Sequence, residues 1–193
     1  MDMMRDKTLK QLITLAYNIK EAENYFQFRL DNPQILISSA KEILANLPHS
    51  FGACAMLSAV WAAILRDRYS IPAIAVAGDL KIENITVFQC KNNIPEKSKY
   101  GKEKPETWDG HCWIEVNDYV GDLSIFRTAY AISGPSILKE FILSNFGNGK
   151  GCLICSHQEL NQMGMEYLPK FVLNESQVTG LIKGLGTQIN KDT

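Results

Sequence analysis

The chain has 193 residues, 46 % hydrophobic and 21 % charged, the balance of one ordinary globular domain long enough to bury about 70 % of its unfolded surface. Its 20 basic and 21 acidic side chains leave a net charge of −1. Such a chain carries no field that would gather a phosphate backbone, so nucleic acid is not an expected partner.

The N-terminal segment MDMMRDKTLKQLITLAYNIKEAENYF is charged every few positions and lacks the apolar core and small-residue cleavage site of a secretory signal, which makes the cytoplasm the expected location. The longest uncharged stretch, Ile43 to Leu65, is interrupted by Pro48, His49, Ser50 and Gly52. What remains is shorter than the ~18–20 apolar residues a membrane span requires, so no membrane association is expected. Five cysteines without an export signal read as reduced thiols rather than a disulfide framework.

In chain order, Leu9, Leu12, Ile13, Ala16 and Ile19 recur at helical spacing, with Tyr25 and Phe26 beyond them, and predict one or two helices from Lys7 to about Leu30. Asn32-Pro33 restarts the pattern as a cap and a first helical residue, for a helix ending near Leu44. Cys54 to about Arg68 carries Met56, Leu57, Val60, Trp61, Ile64 and Leu65, the wide apolar face of a central buried helix. The period then changes. Pro72 to Ala77 reads as a short strand ended by Gly78-Asp79, and Lys81 to Val87 alternates like a half-exposed strand. Lys91 to Asp109 is polar and reads as a long surface loop that could cover a site. Cys112–Val116 and Tyr119–Leu123 are predicted to pair about the turn Asn117-Asp118. Ser-Gly-Pro-Ser opens a helix through about Phe146, Cys152–Cys155 reads as a strand, and Asn174 caps a short last helix interrupted by Gly180 and Gly184.

One constellation carries chemistry. Cys54 follows the turn Ser50-Phe51-Gly52-Ala53 at a helix start, where the dipole stabilises a thiolate and the Cys54 backbone N–H can face a developing oxyanion. The second oxyanion donor is open, with Ser50 or His49 as candidates. A thiolate needs a proton partner, and histidine suits both halves of the task. With Asn117 and Asp118 as the turn, Val116 faces Tyr119 and Trp113 faces Asp122. His111, Trp113 and Asp122 then project from one face, His111 diagonal to Asp122. A carboxylate there would hold the imidazole's tautomer, and Trp113 would wall the ring or meet a substrate. Cys112, on the opposite face, becomes a core residue.

Gly52-Ala53-Cys54 opening a helix, then Ile71-Pro72-Ala73, Val76-Ala77-Gly78, Gly110-His111-Cys112-Trp113-Ile114-Glu115-Val116 and Gly121-Asp122-Leu123 resemble the transglutaminase-like superfamily. The resemblance spans about Ser50 to Phe126. It implies an α+β, papain-like fold: N-terminal helices and a central Cys-bearing helix packed on an antiparallel sheet. It puts the nucleophile on Cys54, the base on His111 and the orienting acid on Asp122. On this reading residues 1–193 form a single domain, with a helical part (1–49), a catalytic core (50–126) and a C-terminal extension (127–193).

The implied activity is cysteine-dependent acyl transfer from a peptide, a protein or a small amide, through an acyl-enzyme on Cys54, to water or an amine, with no cofactor. Ala55 stands where true transglutaminases commonly carry tryptophan, and Leu123 where they carry proline; both departures favour hydrolysis over transfer to an amine. The alternatives are a catalytically inactive binding domain of the same fold and a zinc-stabilised module built on Cys152, Cys155 and His157, which lacks an evident fourth ligand. The expectation is that no metal is held.

Overall fold

The computed structural model describes residues 3–47, 54–94, 108–131, 133–148 and 151–189. The N-terminal periodicity resolves into three helices, α1 (Met3–Ala16), α2 (Ile19–Gln27) and α3 (Gln34–Asn46). Asn18 separates the first two because its side chain accepts the Glu21 N–H at 2.9 Å and caps α2. Asn32 accepts the Gln34 N–H at 3.0 Å ahead of α3. The central helix α4 spans Cys54–Tyr69 and begins at the cysteine. The turn before it, Pro48 to Ala53, and most of the polar loop, 95–107, lie outside the described residues; so do the oxyanion candidates His49 and Ser50.

The strands are β1 (Ile74–Ile82), β2 (Ile85–Phe88), β3 (His111–Val116), β4 (Tyr119–Asp122), β5 (Leu153–Ser156) and β6 (Met165–Val172). They form one antiparallel sheet in a mixed α+β fold that has eight helices among the described residues. The remaining helices are α5 (Ile125–Tyr130), α6 (Ser136–Phe146), α7 (His157–Met163) and α8 (Glu175–Ile189). β1 is the spine: Ile74–Gly78 pairs with β3, Leu80–Ile82 with β2, and β6 runs along its other edge. β4 continues from β3, and β5 from β4.

Several expectations are corrected. β1 does not stop at Gly78-Asp79 but runs through it, because Gly78 is a close-approach residue and not a turn. A Cβ there would sit 2.1 Å from the Leu168 carbonyl oxygen and 2.5 Å from the Trp113 ring. Lys81 to Val87 is not one strand: Glu83 and Asn84, with φ of 49° and 66°, turn the chain back into β2. α8 passes through Gly180 and Gly184 without interruption. Residues 153–172 contribute two strands, one of them beside β1.

Side-chain alternation gives the sheet two apolar faces. One packs Ile74, Val76, Leu80, Trp113, Val120 and Tyr167 with residues of α1, α2, α5, α6 and α7. The other packs Ala73, Ala75, Ala77, Cys112, Ile114 and Val116 with α3 and α4, and partly buried residues of α8 cover it further. Gly121 of β4 lets Trp61 of α4 approach closely: a Cβ there would lie 2.6 Å from the indole ring.

The first face also buries a polar group. Glu115 is fully buried and accepts from Trp113 Nε1 at 2.9 Å, His157 Nε2 at 2.8 Å and the Arg5 guanidinium. Burial pushes its carboxyl up, but His157 and Arg5 outweigh this and hold it below the usual range. The charge on β3 thereby ties α1 and the start of α7 to the sheet. Among the described residues, no helix is long and apolar enough to cross a membrane.

Candidate active site

The Asn117-Asp118 hairpin sets the register: Val116 pairs with Tyr119, Glu115 with Val120 and Ile114 with Gly121. Asn117 takes a positive φ of 54°, which asparagine tolerates. One step further along this ladder stand Trp113 and Asp122, and His111 reaches Asp122 on the diagonal: its Nε2 lies 2.5 Å from Asp122 Oδ2. The imidazole is 2 % exposed and Asp122 fully buried.

A buried carboxylate is tolerable only when its lone pairs are taken. Asp122 Oδ1 accepts the Ser124 N–H and hydroxyl, both at 2.8 Å, and the Ile125 N–H at 3.0 Å, which also caps the entry to α5. Oδ2 accepts His111 and the Tyr167 hydroxyl, the latter at 3.0 Å. Burial pushes the carboxyl up, but the charge and hydrogen bond of His111, with the Ser124 donors, bring it below its ordinary value. Burial, followed by the charge of Asp122, keeps the Tyr167 phenol protonated, so it acts as a donor.

Burial pushes His111 down, yet Asp122, by charge and hydrogen bond, and then Cys54 raise it to about 10. Phe88 of β2 stacks on the ring at 5.1 Å and 18°. Tyr167 and Trp113 flank it at 6.2 and 6.4 Å. Trp113 is fully buried and donates its indole N–H to Glu115; it meets the imidazole through packing and offers no open surface to a ligand.

With Nε2 engaged by Asp122, Nδ1 is the ring nitrogen left for another partner, and Cys54 lies within electrostatic reach of the ring. Cys54 is partly buried at the first position of α4. A hydrogen bond from the Cys112 thiol, opposed by burial and reinforced by the hydrogen bond and charge of His111, brings its pKa well below that of a free thiol. His111 and Asp122 thus form a buried, hydrogen-bonded pair, and Cys54 stands near enough for its charge and that of the imidazole to act on each other.

Cys112 is fully buried on the core face, where the alternation puts it. The sequence pattern assigns no role to Ser124, Tyr167 or Phe88. The Asp-x-Ser spacing of an Asx turn could have revealed Ser124. Tyr167 had no local signal, since it arrives from a strand 45 residues away. Cys152 and Cys155 pack against opposite faces of the sheet, and His157 Nε2 is turned to Glu115. Among the described residues, no group of three His, Cys, Asp or Glu side chains is arranged to hold a metal ion. No family model, curated protein or solved structure matches the chain.

Proposed function

We propose that the protein is a cysteine-dependent hydrolase of the papain-like, transglutaminase-like kind that opens an amide or peptide bond through an acyl-enzyme on Cys54. The observation that carries this reading is the buried, hydrogen-bonded His111–Asp122 pair within electrostatic reach of the partly buried Cys54 on α4. A Cys-bearing helix against an antiparallel sheet whose β3 and β4 carry the other two groups agrees with the resemblance.

The Cys54 thiolate attacks the carbonyl carbon and the π pair moves to oxygen, facing the N–H groups of the first turn of α4, which lie outside the helical ladder. As the tetrahedral adduct collapses, the C–N bond breaks and the His111 imidazolium gives its Nδ1 proton to the leaving amine. Neutral His111 then takes a proton from water, hydroxide adds to the thioester, and the C–S bond breaks to restore thiolate and imidazolium. Asp122 holds the ring throughout and offsets its charge. Ala55 and Leu123 favour water over an amine as acceptor. A peptide or protein is the favoured substrate class.

Incubation with p-nitrophenyl acetate tests the reading. The expected result is an acetyl adduct on Cys54, seen by intact mass and peptide mapping, forming about 100-fold more slowly or worse in His111→Ala. Acetylation spread over all the cysteines, or unaffected by His111→Ala, would leave a folded binding domain in place of an enzyme.

A further inference from the structure

One oxygen of Asp122 serves two partners. Oδ2 accepts the Tyr167 hydroxyl at 3.0 Å and lies 2.5 Å from His111 Nε2. The other oxygen, Oδ1, is taken by the Ser124 N–H, the Ser124 hydroxyl and the Ile125 N–H, donors from the next residues of the chain. Tyr167 reaches Oδ2 from β6, where it pairs with Leu80 of β1. Its side chain is 2 % exposed, and its ring lies 5.0 Å and 68° from the Trp113 indole and 6.2 Å and 44° from the imidazole. A phenylalanine would make the same ring contacts. A buried hydroxyl is costly unless it is paired, so what the oxygen of Tyr167 adds to the site is its bond to the carboxylate.

We propose that Tyr167 is a positioning residue for His111: by donating to Asp122 Oδ2 it limits how tightly the carboxylate grips the Nε2–H, and so sets how readily the imidazolium yields its Nδ1 proton. A carboxylate oxygen with a single donor turns its whole charge on that donor. A second donor stabilises the charged carboxylate, lowers its basicity and weakens the first bond. Tyr167 touches no reacting atom and acts only through Asp122. Its part in acyl transfer rests on the proposed function; the coupling of phenol, carboxylate and imidazole does not.

The direction matters because His111 has two opposed tasks, giving a proton to the leaving amine and then taking one from water. Burial pushes the ring down, but Asp122, by charge and hydrogen bond, and then Cys54 hold it far to the protonated side, at about 10. A still stronger grip by Asp122 would slow the first task. The phenol relieves that grip without moving the ring. It remains a donor throughout, since burial and then the charge of Asp122 keep it protonated.

The test compares the full chain with Tyr167→Phe, which keeps the ring and deletes only the oxygen. Nuclear magnetic resonance reads the His111 Nε2 proton and the pH midpoint of the ring, assigned by their loss in His111→Gln. Expected in Tyr167→Phe are a shift of that proton to lower field and a midpoint higher by about 0.5–1 pH unit, a response that lost packing alone would not give. Circular dichroism confirms that the variant folds. As a second perturbation, a ring-fluorinated tyrosine incorporated at position 167 makes the phenol a stronger donor in an otherwise intact chain, and the Nε2 proton is expected to move to higher field. A proton and midpoint that stay in place, or that move in the opposite direction under either perturbation, would overturn the proposal. A ring that responds in a chain whose Cys54 takes no acetyl group refutes only the enzymatic reading, and acetylation of Cys54 with an unmoved ring refutes only this one.

Discussion

Asp122→Asn keeps the size of the side chain and removes the charge that pairs with His111. His111 is raised from its ordinary 6.5 to about 10, a preference for the imidazolium on the order of 5 kcal/mol. Its first opponent is burial, which remains after the substitution, so the ring should be neutral near neutral pH. The raised pKa lends the fold stability that is fully present below pH 6.5 and lost as pH climbs through about 10. Deleting the counter-charge therefore costs most at or below neutrality. Breaking a buried pair costs about 3–5 kcal/mol, which a domain of ordinary stability, about 5–15 kcal/mol, survives. Cys54 then loses its cationic neighbour, one of the influences that lower its pKa. A thiol of ordinary pKa is about 1 % ionised at pH 6.5, so iodoacetamide should label Cys54 about 10- to 100-fold more slowly in the variant. Urea unfolding and timed labelling with peptide mapping give both numbers. An unchanged labelling rate in a folded variant would refute the argument that Asp122 acts on the sulfur through the imidazole.

Two further substitutions probe the supports. Tyr167→Phe removes one donor from the ionised Asp122 and should lower the unfolding free energy by about 1.5–3 kcal/mol in urea; a change under about 0.5 kcal/mol would mean that this hydroxyl is not committed to the carboxylate. Gly78→Ala drives a Cβ against the Leu168 carbonyl and the Trp113 ring, at 2.1 and 2.5 Å, and should destabilise by about 1–3 kcal/mol or more; a neutral effect would contradict the close approach of β6 to β1.

The legible parts of the site were those written in local periods. Alternation about Asn117-Asp118 fixes which side chains share a face, so the relation of His111 to Asp122 follows from counting, and the pairing of Val116 with Tyr119 agrees with it. The helix α4, Cys54–Tyr69, was legible from its wide apolar face. β6 was not, because Pro169 interrupts its pattern: proline cannot donate to a ladder and is accommodated where β6 is irregular opposite Gly78. Losing β6 hid Tyr167 as well. Gly78-Asp79 resembled a strand end because a glycine needed for contact looks, in one dimension, like a glycine needed for a turn. How α4 lies across β3 is a tertiary fact no local period encodes.

The most direct test of the account is the pH dependence of Cys54 alkylation by limiting iodoacetamide, in wild type and in His111→Ala. The lowered pKa of Cys54 and the raised one of His111 predict labelling that stays fast well below the ordinary thiol range in the wild type and shifts to higher pH in the variant. Superimposable profiles, or a wild-type Cys54 that ionises like a free thiol, would contradict the thiolate–imidazolium pair.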